Sequence, residues 1–256
     1  MDLGLSDRVC VLTGSTAGVG LEAARMLVAE GARVVTCSRR EEAPGVGEAL
    51  HVAVDLSEPA APGELIRRAE AEVGPVDVLV NNVGDSYLAK FDQLSEEQWE
   101  GMWQLNVMSF VRAIQAVLPG MRERKDGVIV NVSSTAGKRP STGMPNYTVT
   151  KAAVLSLSRL VADLYAKEGI RCNAIAPGPT LSETWLAPRR LADQQAEQTG
   201  KSREEVLEAV GGGRPLGRMA EPEEIAAVIV FLCSPRSSYV TGAAWSADGG
   251  TVPVII

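Results

Sequence analysis

The run Thr13-Gly14-Ser15-Thr16-Ala17-Gly18-Val19-Gly20 follows the apolar stretch Arg8–Leu12 and leads straight into helically spaced apolar residues, Gly18–Glu30. A strand that turns sharply into a helix needs backbone conformations that glycine adopts without steric cost. Glycines in the spacing Gly-x-x-x-Gly-x-Gly also leave N–H groups uncovered at the positive end of the helix, where an anion is stabilised. The stretch reads as a cradle for a pyrophosphate at a first strand-to-helix turn.

The pattern repeats outward from that turn. Arg33–Cys37, Leu50–Val54, Val76–Val80, Val128–Val132 and Arg171–Ile175 are nearly continuous in apolar residues, as strands covered on both faces are. Between them Gly63–Val73, Glu96–Met121 and Pro145–Lys167 carry apolar residues at helical spacing, and Pro222–Leu232 leads to a short strand near Ala243–Ser246. Alternating strands and helices predict an α/β fold: a doubly wound, Rossmann-like parallel sheet with helices on both faces. No linker divides the chain, so 1–256 reads as one domain. The polar stretch 183–213 breaks the rhythm and ends in Gly211-Gly212-Gly213. It is expected to form a helical substrate lid on a glycine hinge, since insertions beyond the carboxyl ends of such strands cover the ligand crevice.

With 45% hydrophobic residues in 256, the chain can bury a full core. A net charge of −7 without a basic block disfavours nucleic acid as a partner. The longest apolar run, Ile225–Cys233, is too short to span a bilayer, so no membrane association is expected. Cys10, Cys37, Cys172 and Cys233 show neither metal nor redox spacing and read as small buried hydrophobes. These features predict a cytoplasmic protein without a metal site.

The end of the second strand reads Cys37-Ser38-Arg39-Arg40, with no acid before Glu41. A carboxylate near this point would take the ribose 2′-hydroxyl of NAD; a guanidinium instead pairs with a 2′-phosphate. The reading favours NADPH. Further along, Tyr147 and Lys151 stand four residues apart at the start of a helix and so share one face. A neighbouring ammonium stabilises a phenolate, which would make Tyr147 a usable acid and base. Ser134, thirteen residues earlier, closes the fifth strand at the edge where a parallel sheet meets its ligand.

These motifs, in this order, resemble the short-chain dehydrogenase/reductase family over nearly the whole chain, from Arg8 to Gly250. The matching residues are the Gly14–Gly20 turn, Asp55-Leu56, Asn81-Asn82-Val83-Gly84, Asn106, Ser134, Tyr147, Lys151 and Pro177-Gly178, with Tyr239-Val240-Thr241-Gly242 and Asp248-Gly249-Gly250 at the end. The resemblance implies that Tyr147 protonates a carbonyl oxygen as hydride arrives from the nicotinamide, while Ser134 hydrogen-bonds that oxygen. Lys151 would bind the nicotinamide ribose and depress the Tyr147 pKa. Asn106 would anchor a water that relays protons to Lys151. Asp55 would contact adenine, Asn82 the adenosine side, and Thr180 and Ser182 the carboxamide. Ser15, Thr16, Val19, Leu56, Val83 and Gly84 complete the implied cofactor set. Val83 replaces the usual alanine, and Ala17 stands where some NADPH-preferring members carry a basic residue.

The expected activity is reduction of a ketone with NADPH. An NAD-dependent secondary alcohol dehydrogenase is the alternative. Candidate substrate-lining residues are Ser86, Tyr87, Lys138, Met144, Leu181, Trp185 and Leu186, with Lys138 and Arg139 as a possible basic rim. The lone His51 lies in a strand pattern and reads as structural. Apolar residues spread around Pro145–Lys167 predict a second covered side, and the resemblance implies a homotetramer, with a dimer as fallback.

Overall fold

A computed structural model describes residues 2–42 and 45–253. Seven parallel strands form one sheet in the order β3-β2-β1-β4-β5-β6-β7. They are β1 (Val9–Thr13), β2 (Arg33–Ser38), β3 (Leu50–Ala53), β4 (Val78–Asn81), β5 (Gly127–Val132), β6 (Ile170–Pro177) and β7 (Ala244–Ala247). Alternation along the strands sorts their side chains to two faces. Val9 and Val11 of β1 join the core under helices α2 (Ala61–Glu72), α4 (Ser109–Arg124) and α6 (Pro145–Tyr165). Cys10 and Leu12 join the opposite core, packed by α1 (Gly18–Ala29) and α10 (Pro222–Cys233). Both faces are thus apolar, which is why the strands read as unbroken apolar runs. The strand order reverses direction between β1 and β4, and a doubly wound sheet opens its ligand crevice at the carboxyl ends of such strands.

Strand ends fall within one or two residues of the sequence reading, while three other features differ. The single helix expected over Glu96–Met121 is α3 (Glu96–Trp103), a π turn (Gln104–Met108) and α4, which runs on to Arg124. Ser95 starts α3 in a reciprocal capping box with Gln98. The expected glycine hinge is absent: Gly211 and Gly212 form the last turn of α9 (Arg203–Gly212), and Gly213 caps it. The segment 183–213 folds as α7 (Glu183–Leu186), α8 (Leu191–Thr199) and α9. A short helix, α5 (Thr135–Lys138), follows β5 without a periodic signal in sequence. All four cysteines are free and buried. Among the described residues no helix is long and apolar enough to cross a membrane, and no cluster of side chains could hold a metal ion.

Candidate active site

One crevice of about 1230 Å³ runs along the carboxyl ends of the strands. Its floor at one end is the glycine turn, where Gly14 and Gly18 have φ of 63° and 51°. Gly20 is the tightest point: a Cβ there would lie 2.4 Å from the Gly14 carbonyl oxygen and 2.5 Å from Asn82 Nδ2. Asn82 explains this closeness. Its amide donates to the carbonyls of Thr13 (3.1 Å) and Gly14 (2.8 Å), locking the turn to the end of β4. Thr13 Oγ1 returns the tie by accepting from the N–H groups of Asn82 and Val83. Gly14, Thr16, Gly18, Val19, Gly20, Asn82, Val83 and Gly84 all line the crevice. Ser15 does not: its hydroxyl is fully buried, donates to the Leu12 carbonyl and accepts from Cys37 N, so it joins β1 to β2 instead of facing a ligand.

Ser38, Arg39 and Arg40 form a shelf beside that turn, with Asp55 and Leu56 opposite. The Arg40 main chain is held by its N–H donating to Ser38 Oγ and by His51 Nε2 donating to its carbonyl at 2.8 Å. A carbonyl only accepts, so that nitrogen carries the hydrogen, and Nδ1 meets Thr36 Oγ1 at 3.0 Å. His51 thus has a positioning role, in line with the structural reading. The Arg40 guanidinium reaches 3.4 Å from Glu183, at the start of α7. Asp55 is held below the usual carboxylate range by hydrogen bonds from Ser57, with a smaller contribution from the nearby Arg39 charge.

In the middle of the crevice Tyr147 and Lys151 stand one turn apart on α6, with Ser134 at the cap of α5. Lys151 is buried, and burial lowers its pKa from 10.5 to about 8. Its Nζ donates to the Val132 carbonyl at 2.9 Å and lies 5.7 Å from the Tyr147 ring centroid. Burial also pushes the Tyr147 pKa up, against a smaller downward pull from the Ser134 side chain. This reverses the sequence expectation of a phenol made more acidic by Lys151. Loss of water around the phenol dominates, while the ammonium is directed at a carbonyl. α5 serves as a spacer: Ser133 Oγ donates to the Lys151 carbonyl at 2.7 Å, and a Cβ at Gly137 would lie 2.6 Å from that same oxygen.

Asn106 sits in the π turn, fully buried and outside the crevice lining. Its amide clamps the Asp85 main chain in both directions at 3.0 Å and donates to Thr150 Oγ1. It therefore positions the Gly84–Asp85 wall and α6; its side chain has no bond to Lys151. Pro177, Gly178, Thr180 and Ser182 line the crevice past β6, and Ser182 closes over the glycine turn, 3.1 Å from where a Gly18 Cβ would stand.

The far wall differs more from expectation. Ser86, Met144, Trp185 and Arg139 line it, but Tyr87, Lys138, Leu181 and Leu186 do not. Tyr87 is spent on Asn146, and Lys138 is tied to the Ala244 carbonyl and Ser246 Oγ of β7, which removes it from any basic rim. Asp85, Arg190 and Gln195 line the wall without having been singled out in sequence. Asp85 and Arg190 form an ion pair between residues 105 positions apart. Asp85 directly follows the Asn81–Gly84 motif, the one signal that could have found it.

A family profile described as enoyl-(acyl carrier protein) reductase matches residues 14–252. The chain is 34% identical to the 3-oxoacyl-[acyl-carrier-protein] reductase FabG of Thermotoga maritima, over 97% of this chain and 99% of that protein. The chain belongs to the short-chain dehydrogenase/reductase family. The acetoacetyl-CoA reductase of Shinella zoogloeoides is another relative, 33% identical over 95% of this chain and 98% of that one. Among solved structures, L-sorbose reductase from Gluconobacter frateurii, complexed with NADPH and L-sorbose, superposes with a TM-score of 0.93. It is 34% identical, and both chains are covered completely. The protein is an oxidoreductase of the short-chain dehydrogenase/reductase family, whose members use a nicotinamide cofactor.

Proposed function

We propose that this protein reduces a ketone to a secondary alcohol with NADPH. One observation carries the reading: Tyr147, Ser134 and Lys151 line the same crevice as Arg39 and Arg40, and the run Ser38-Arg39-Arg40 at the end of β2 holds no acid to take a ribose 2′-hydroxyl. The glycine turn would hold the cofactor's pyrophosphate and Arg39 and Arg40 its 2′-phosphate, and the bound cofactor would supply the hydride for the carbonyl carbon. Tyr147, a phenol protonated at neutral pH, suits a proton donor to the carbonyl oxygen. Ser134 hydrogen-bonds that oxygen as charge builds. Lys151, with a pKa near 8, can hold the ribose hydroxyls and replace the proton. Asn106 holds the wall from behind.

The sorbose reductase complexed with NADPH and the two acyl-thioester reductases support the cofactor and the carbonyl-reducing direction as analogies. The segment 183–213 serves as the substrate lid, since Trp185, Arg190, Leu191, Gln195 and Val210 line the crevice. The homotetramer belongs to the same reading. Leu160 and Leu164 on α6, with Trp103 on α3, present large apolar side chains outward, as a helix face covered by another copy would. Light scattering should give about four times 27.1 kDa; an active monomer at micromolar concentration would refute the assembly.

Tyr147→Phe tests the chemistry. It removes the transferable proton and keeps the ring, so turnover should fall at least about 10³-fold with NADPH affinity nearly unchanged. Turnover within tenfold of the parent would overturn the mechanism.

A further inference from the structure

We infer that the far wall of the crevice is built for a polyhydroxylated ketone of the sugar type, an inference that rests on the reductase reading above. Three polar groups there have unmet or shareable hydrogen bonds. Gln195 Oε1 is enclosed and has no hydrogen-bond partner among the described residues. A buried acceptor left so is destabilising unless a bound group donates to it. The Asp85–Arg190 ion pair is part-exposed at the same wall, with side-chain exposures of 43% and 30%. Asp85 cannot drift from the reacting centre, because Asn106 holds its main chain and Ser86 N–H donates to its carboxylate at 2.8 Å. Trp185 and Met144 supply the apolar part of this wall.

Three classes of ketone meet this wall differently. A β-ketoacyl thioester has an apolar tail, which would cover Gln195 and Asp85 and satisfy neither. A keto acid would bring its carboxylate to Arg190, where Asp85 already stands and repels it. A polyhydroxylated ketone satisfies all three groups. Its hydroxyls donate to Gln195 Oε1 and to Asp85, and accept from Arg190, since a hydroxyl does both. Its C–H face packs on Trp185, giving the mixture of apolar lining and few placed polar groups that orients small ligands. A site made to bond hydroxyls also rejects analogues lacking them, because its own groups are then left unpaired. In the reaction, hydride from NADPH joins the carbonyl carbon and the Tyr147 proton joins its oxygen, leaving a polyol and NADP+.

The test is steady-state kinetics of the full chain with NADPH on D-fructose, L-sorbose, 2-hexanone, levulinate and acetoacetyl-CoA. The better ketose should exceed each of the other three in kcat/KM by at least about tenfold. Gln195→Leu should lower kcat/KM for that ketose at least about tenfold more than for 2-hexanone, mainly through KM; a purely structural role would lower both alike. Equal or better turnover of 2-hexanone, levulinate or acetoacetyl-CoA overturns the substrate class and leaves the reductase reading standing. Tight NADPH binding with no turnover of any carbonyl overturns the reductase reading and this inference with it.

Discussion

The two ends of the crevice are built on different principles. The cofactor end rests on strand termini and a glycine turn, where Gly14, Gly20, Thr13 and Asn82 interlock at atomic contact. The far wall is assembled from short helices, α7 to α9, which meet the sheet through side-chain pairs such as Asp85–Arg190 and through Leu88 N–H donating to Gln194 Oε1. A cradle fixed by close main-chain approach, with Thr13 and Asn82 bonded to main-chain groups, recognises what every such cofactor shares. A wall fixed by exchangeable side chains can be altered without disturbing the sheet. The difference separates binding common to the family from specificity particular to this chain.

Gly20→Ala would break the comparison if the cradle is looser than it looks. With the new methyl 2.4 Å from a carbonyl oxygen, the turn must open, and cofactor affinity should fall at least about 100-fold. The same change at Gly212, in α9 with nothing within 4 Å, should leave affinity and activity unaltered. Titration by cofactor fluorescence reads both; similar losses at the two sites would erase the distinction.

Lys151→Met examines a cost carried by the proposed catalytic centre itself. Because folding lowers the Lys151 pKa from 10.5 to about 8, the unfolded chain binds a proton the folded chain lacks between those values. Stability from this group therefore rises as pH increases through that window, and below pH 8 the buried charge is a net penalty. The variant should be inactive and yet more stable at pH 7, by about 1–3 kcal/mol, with the advantage fading toward pH 10.5. Denaturant melts at pH 7 and pH 10 would show it. An equal or lower stability at pH 7 would mean that the bond to the Val132 carbonyl outweighs the burial.

Arg39→Ala sharpens the cofactor end. Only NADPH carries the extra phosphate, so its dissociation constant should rise about tenfold while that of NADH changes less than about twofold. Equal weakening of both would make Arg39 structural and remove the basis for preferring NADPH.

The legible parts of this molecule are those encoded over short spans of chain. The Gly14–Gly20 turn, the four-residue spacing of Tyr147 and Lys151, and the doubly apolar strands each fit within one element, so periodicity and turn chemistry reveal them. Arg190 gave no such signal: it falls in a polar stretch, and its partner is 105 residues away. The π turn at Gln104–Met108 left the apolar spacing of its helix intact, so Asn106 could be singled out but not what its amide would hold. The Tyr147 pKa was expected in the wrong direction because proximity to a cation is visible in spacing and burial is not.

The Arg40–Glu183 pair joins the Ser38–Arg40 shelf to the first turn of α7. An anion that takes Arg40 must share it with Glu183 or displace it, so on the function proposed above the lid position and 2′-phosphate binding would draw on the same guanidinium. Linkage then runs both ways: whatever frees Glu183 strengthens the hold on the phosphate, and whatever fills the shelf loosens the lid by the same factor. For a pair as exposed as this one, that factor is at most about fivefold. It is a weak coupling, but it lets the occupancy of one end of the crevice be felt at the other without any movement of the sheet.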